Sequence, residues 1–432
     1  MTEVVLSAGD TAWVLASSAL VLLMTPGLAL FYGGMVRAKS VLNMMMMSFV
    51  TIGIVSVLWV IYGFKLAFGY EANSPWYGSF KLSGLGNVVE ELTNNGGVYP
   101  IPLLVFAAFQ LMFAIITPAL ISGAIADRAK FLSWGIFVAI WSTVVYFPIA
   151  HWVFAFGNKV GDEVTGAGFL AARGVQDFAG GTAVHINAGA AGLALAIVLG
   201  RRIGWQRSPM RPHSLPLTLL GAALLWFGWF GFNAGSSLGA NAIAGLAFMN
   251  TQVATAGALL GWILVEKLRD GHFTSLGAAS GAIAGLVAIT PACAFVAPWA
   301  AVVIGLIAGG VCALAVGLKY RFGFDDSLDV VGVHLVGGII GSLAIGFFGT
   351  SSVNSLGLDG LFYGGGTALL GKQALGVGLV LTYSFLMTLL IGFLIEKTIG
   401  FRVKSEAELV GVDQSEHAES AYEMGGILKG GR

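Results

Sequence analysis

The stretch Asp177-Phe-Ala-Gly-Gly-Thr-Ala-Val-His185-Ile-Asn-Ala-Gly189-Ala-Ala-Gly192 decides the fold once it is set beside Asp326-Ser-Leu-Asp-Val-Val-Gly-Val-His334-Leu-Val-Gly-Gly338-Ile-Ile-Gly341. Both read Asp, seven residues, His, three residues, Gly, two residues, Gly, with Val before each His. An Asp suits a helix start, where a carboxylate accepts from free amides and meets the positive end of the dipole. Eight residues of helix rise about 12 Å. A histidine that deep in an apolar run lies near the middle of a ~30 Å hydrocarbon layer. Taken singly, either His leaves an inert interhelical bond open as one reading. Two at equivalent repeat positions point instead to a substrate path.

Composition agrees that lipid is the solvent. Of 432 residues, 57% are hydrophobic and 10% charged, against about 25% charged in a soluble domain. The 63 glycines let membrane helices approach closely. Net charge is zero, with no basic block, so nucleic acid is not an expected partner. Cys293 and Cys312 sit in apolar runs and read as small core residues, with no disulfide framework and no metal site. Met1 to Asp10 lacks the positive segment of a cleaved signal peptide and is expected to stay attached, on the outside.

Apolar stretches of spanning length fall near 11–34, 43–68, 101–125, 131–156, 178–200, 216–238, 241–266, 274–291, 297–318, 328–349 and 373–396. The expected fold is therefore an all-α polytopic membrane protein with 11 transmembrane helices. Alternate loops carry Arg37 and Lys39; Arg128 and Lys130; Arg201, Arg202, Arg207 and Arg211; Lys267 and Arg269; Lys319 and Arg321. The C-terminal segment adds Lys397, Arg402, Lys404, Lys429 and Arg432. Together these are 17 of the 22 Lys and Arg. The opposite loops hold Lys81, Lys159, Arg173 and Lys372. That bias places the N-terminus outside and the C-terminus in the cytoplasm. Five spans separate the two His motifs, so they run in opposite directions. Two inverted five-helix repeats plus an eleventh helix follow. Residues 1–400 read as one membrane transport domain and 401–432 as a cytosolic tail. The long outer loop near 70–100, rich in Gly, Asn and Ser, is expected to form a small cap.

Around the histidines the spans are Gly, Ala, Val, Leu, Ile and Phe, a lining that suits a small, weakly polar, neutral species. Each imidazole offers one hydrogen-bond donor or acceptor, according to its tautomer.

These residues resemble the ammonium transporter family (Amt/Mep/Rh), in its bacterial Amt branch. The resemblance rests on Asp177 to Ala188, on Gly228-Trp229-Phe-Gly-Phe232-Asn-Ala-Gly-Ser236, on Phe31-Tyr32-Gly-Gly-Met35 and on Asp329-Val-Val-Gly-Val-His334, and it covers nearly the whole chain. It implies that His185 and His334 are the twin pore histidines and that Phe113 and Phe232 are the stacked pore gate. It implies an outer recruitment site of Phe113, Phe154, Phe232 and Ser236, with Asp177 supporting it and Trp229 lining the pore. Where the family carries Trp, this chain has Phe154, with Trp152 two residues earlier; the substitution weakens the cation–π contribution, because Trp is the best partner. Ammonium would be held there by aromatic faces worth ~0.5–2 kcal/mol each. Burying the bare ion costs of order 20 kcal/mol in the idealised case, and low dielectric favours loss of its proton. Ammonia then passes the gate, and potassium, with no proton to lose, is refused. Whether the proton follows separately along the histidines is left open.

The tail, Gly411-Val-Asp413-Gln-Ser-Glu-His417-Ala-Glu419-Ser-Ala-Tyr422, resembles bacterial tails that dock a cytosolic PII signal protein. The resemblance also implies a homotrimer, methylammonium as a substrate analogue, a multi-pass location in the cytoplasmic (inner) membrane, and no cofactor. A sensor with little transport and an Rh-like neutral gas channel are the rival readings. No nucleophile–base pair, metal-ligand cluster or phosphate loop stands out, so the chain does not read as an enzyme.

Overall fold

A computed structural model describes residues 4–88 and 91–422. The N-terminal three residues, and Lys429 and Arg432 of the charge count, lie outside the described residues. Among the described residues, ten helices are long and apolar enough to cross a membrane. They are α1 (Ala8–Met35), α2 (Ala38–Phe68), α3 (Leu103–Ile125), α4 (Phe131–Phe154), α5 (Gly181–Leu199), α6 (Leu215–Gly235), α7 (Ala242–Asp270), α9 (Pro298–Phe322), α10 (Val331–Phe348) and α11 (Ala368–Thr398). The span read at 274–291 is α8 (Ser275–Ile289), apolar but only 15 residues long. Two small antiparallel hairpins lie in interhelical connections: Leu92–Asn94 with Val98–Pro102, and Asn158–Val160 with Glu163–Thr165.

Helix starts follow local chemistry. Ser7, Ser214, Asn241 and Thr274 each accept from an amide of the turn they open, satisfying donors that lipid cannot. Small residues then let backbones close up. α1 packs along α6, and α7 packs against α8 and α9. A Cβ at Gly341 of α10 would collide with the Ala288 carbonyl of α8, so only glycine allows that approach.

α5 and α10 cross antiparallel. Gly192 faces Val330, Gly189 faces Leu335, and Gly338 faces Gly181 and Ile186; numbers rise along one helix as they fall along the other. One expectation needs correcting. The helices do not begin at Asp177 and Asp326 but at Gly181 and Val331, so His185 and His334 lie in the opening turn or so of each. Both opening turns are wide, π-type turns, a form that recurs at functional sites.

Loops from four interhelical connections meet at one end. Arg37 reaches Asp127 (3.2 Å), Arg202 reaches Asp127 (3.0 Å), and Arg202 reaches Asp325 (2.9 Å). Residues 401–422 return to this same end rather than hanging free. Val403 donates to Arg128 O, and Glu408 accepts from Ile203 N.

Candidate functional site

Asp177 is buried, and its carboxylate accepts from the amides of Gly180 (2.8 Å), Gly181 (2.7 Å), Thr182 (2.7 Å) and Ala183 (3.3 Å), and from the Thr182 hydroxyl. It thus consumes the free donors at the start of α5. Asp326 does the same for α10, accepting from Val330 (3.1 Å) and Val331 (2.7 Å). Each carboxylate fixes the turn that carries a histidine.

Those turns bring His185 and His334 together. Their Nδ1 atoms are 3.3 Å apart, and the rings are 5.4 Å apart at 22°. Both are buried. An Nδ1–Nδ1 hydrogen bond needs one ring to donate and the other to accept, so the pair holds a single shared proton between them. His185 Nε2 has no partner among the described residues. It is therefore open to a small donor or acceptor.

Aromatic rings stand in sequence above the pair. His185 stacks on Trp229 (5.3 Å, 22°) and on Phe232 (6.0 Å, 27°). Phe232 meets Phe113 at 4.2 Å and 37°, a distance that leaves no free passage between the rings at rest. Trp229 is held by donating to Thr290 Oγ1 (2.8 Å), which itself donates to Leu286 O. Ser236 donates to Phe232 O (2.8 Å), which leaves its oxygen free to accept.

Phe154 is buried, yet it makes no close ring pair with Phe113 or Phe232 among the described residues. Its ring lies instead 3.7 Å from where a Gly180 Cβ would stand, beside the Asp177-held turn. Trp152 points elsewhere: it donates to Trp76 O (2.8 Å) and packs on Tyr383 (4.8 Å). It does not replace the missing Trp at position 154.

The tail residues are tied to the end of the bundle where α2 begins. Asp413 is buried and accepts from Leu42 N (3.0 Å) and Asn43 N (2.8 Å), capping α2. His417 Nε2 sits 3.0 Å from Asn43 Oδ1. Tyr422 bonds His213 (2.8 Å), while Glu419 is exposed. Sequence reading missed Thr290 and Thr182, whose roles depend on partners distant in the fold or on a local turn, and it missed His151, discussed below. Cys293 and Cys312 are free and buried.

These features define a multi-pass membrane protein with a buried histidine pair behind stacked aromatic rings. Comparison with known proteins carries the assignment further. The model of the Ammonium Transporter Family matches residues 12–422. An ammonium transporter of Mycobacterium tuberculosis (strain ATCC 25618 / H37Rv) is 55% identical over 434 residues, spanning 96% of this chain and 90% of that protein. The crystal structure of Saccharomyces cerevisiae Mep2 superposes with TM-score 0.83 at 33% identity, covering 93% of this chain and 88% of that one. A structure described as a sensor Amt protein gives 0.84 at 30%, covering 95% and 98%. The chain belongs to the ammonium transporter family.

Proposed function

We propose that the chain carries ammonium across the cytoplasmic membrane as ammonia, deprotonated at an outer aromatic site and conducted past His185 and His334. The arrangement is eleven spans, α1–α5 and α6–α10 as inverted repeats with α11 added, N-terminus outside and C-terminus in the cytoplasm. The antiparallel crossing of α5 and α10 and the gathering of the cationic loops at one end both favour it.

The single observation that carries the mechanism is the histidine pair lying directly behind the Phe113–Phe232 contact. Phe232 faces a gate partner on one side and His185 on the other, so a molecule displacing the rings arrives at the imidazoles. A hydrated cation has no such path in an apolar enclosure. Phe113, Phe232, Phe154 and the Ser236 oxygen form the recruiting site, with Asp177 fixing the wall beside Phe154. The His185 Nε2 without a partner takes the migrating ammonia. Three copies assemble, and a cytosolic PII protein meets the tail at Glu419 and the tail's outer face, since Asp413, His417 and Tyr422 are engaged internally.

Uptake of labelled methylammonium into proteoliposomes, with and without a membrane potential, is the direct test. The reading expects saturable uptake that His185→Ala reduces at least about tenfold, the scale of losing one well-placed hydrogen bond to the passing molecule. A potassium current would refute deprotonation as the selectivity step. The sensor reading, favoured by the likeness to the sensor Amt structure, wins if ammonium binds and methylammonium stays outside.

A further inference from the structure

We propose that His151 is a protonated positioning residue of the outer mouth: its imidazolium fastens the C-terminal end of α2 and the loop after it, through Ala67 and Ser74, to the helix end that bears Phe154, and makes outside affinity depend on external pH. This rests on Phe154 belonging to the recruiting site.

His151 lies in the last turn of α4 and is fully buried. Its Nδ1 is 2.8 Å from Ala67 O, and its Nε2 is 2.9 Å from Ser74 O. Both partners are backbone carbonyls, which only accept. A neutral imidazole has one N–H, so its other nitrogen would turn a lone pair toward an oxygen lone pair. Only the imidazolium donates to both. The carbonyl end of a helix is also where a cation is favoured.

Among the described residues no carboxylate pairs with this ring. Lys65 and Glu71, on the packed segment, bond each other at 2.6 Å. Tyr70 donates to Asn94 O and Asn95 Oδ1. Arg173 lies over the Phe169 ring at 3.5 Å. Asp177, before α5, is taken up by the amides and hydroxyl described above. The two carbonyls therefore carry the task of holding the proton.

The loop that follows α2 packs against the end of α4 and the segment after it. Trp152 donates to Trp76 O, Trp76 stacks on Phe169 at 4.5 Å, and Phe169 donates to Pro75 O. Three residues beyond His151, the Phe154 carbonyl accepts from Asn95 (2.9 Å). Losing the His151 proton leaves one carbonyl without a donor and loosens the loop against the turn that places Phe154. Raising external pH then weakens capture of ammonium.

The test is nitrogen NMR of histidine-labelled protein in bilayers, paired with methylammonium uptake against external pH. Toward acidic external pH an imidazole with both nitrogens protonated is expected, and His151→Gln removes its signal. The outside KM of the wild type rises about tenfold toward alkaline pH, the scale of one lost hydrogen bond, while His151→Gln shows a flat profile. Should that variant not fold, His151→Arg supplies donors to both carbonyls and is expected to restore affinity without pH dependence. A neutral imidazole at position 151 throughout, or a pH profile unchanged in the variants, overturns the proposal. If the wild type takes up no methylammonium at all, the transport reading fails, while the NMR signal still decides the state of His151.

Discussion

Asp177 holds four consecutive amides and a hydroxyl with one carboxylate. Asp177→Asn puts an amide donor where an acceptor is required, so two donors meet. The expected cost is about 2–3 kcal/mol, the scale for hydrogen bonds to a charged group, read as a lower unfolding temperature in detergent together with slower uptake. Phe154→Trp acts in the other direction. A Trp face binds a cation better by up to about 1 kcal/mol, so the outside KM should fall roughly fivefold, a shift that direct uptake kinetics will show. At the end of the bundle where the tail docks, burial alone would raise the Asp325 carboxyl. Its bond from Arg202 and the charge of Arg128 outweigh that and hold it below the usual carboxylate range. A depressed folded value means the contribution is present above the unfolded value and is lost as pH falls through the folded one. Stability should therefore drop below about pH 4, and Asp325→Asn should remove that acid limb of the unfolding curve while lowering stability at neutral pH.

Among the helices, what the sequence made legible and what it did not separate along physical lines. The repeated Asp–His spacing marked α5 and α10 and placed both histidines, because caps and glycines are local signals. It could not show that the helices open at Gly181 and Val331 in wide turns, since an i→i+5 hydrogen bond has no residue signature. Nor could it show that Asp413 caps α2, whose start lies some 370 residues earlier, because that cap is non-local. The Phe113–Phe232 pair was named only through resemblance: any one of 29 phenylalanines looks alike by periodicity. Helix packing yields a sharp contrast. Gly341→Ala should destabilise by about 2 kcal/mol or more through overpacking against Ala288, whereas Gly371→Ala in α11, with open space around it, should be neutral or stabilising by up to about 1 kcal/mol. Thermal unfolding of the two variants decides it. Asp413→Ala should cost about 1 kcal/mol of cap and expose the tail to protease, visible as early cleavage after residue 400.

For the whole molecule, hydrophobicity names the solvent but not the direction of insertion, and orientation rests on where cations gather. Arg37, Arg128 and Arg202 belong to three different connections, yet they converge on Asp127 and the Asp325 segment. Glu408 of the tail bonds Arg402 and Ile203 N beside them. Such a network holds the connections at that end together as one plate. The sidedness is open to a clean measurement, because both native cysteines are buried and should ignore a bulky, impermeant maleimide. Asp162→Cys sits in the exposed outer hairpin, and Arg207→Cys in an exposed connection at the opposite end. Intact cells should label position 162 and spare 207 until the membrane is permeabilised, with Glu419→Cys behaving like 207. The reverse pattern would turn the molecule over. It would set the aromatic gate facing the cytoplasm, and a transporter built to capture scarce external ammonium would then have its recruiting site on the wrong side.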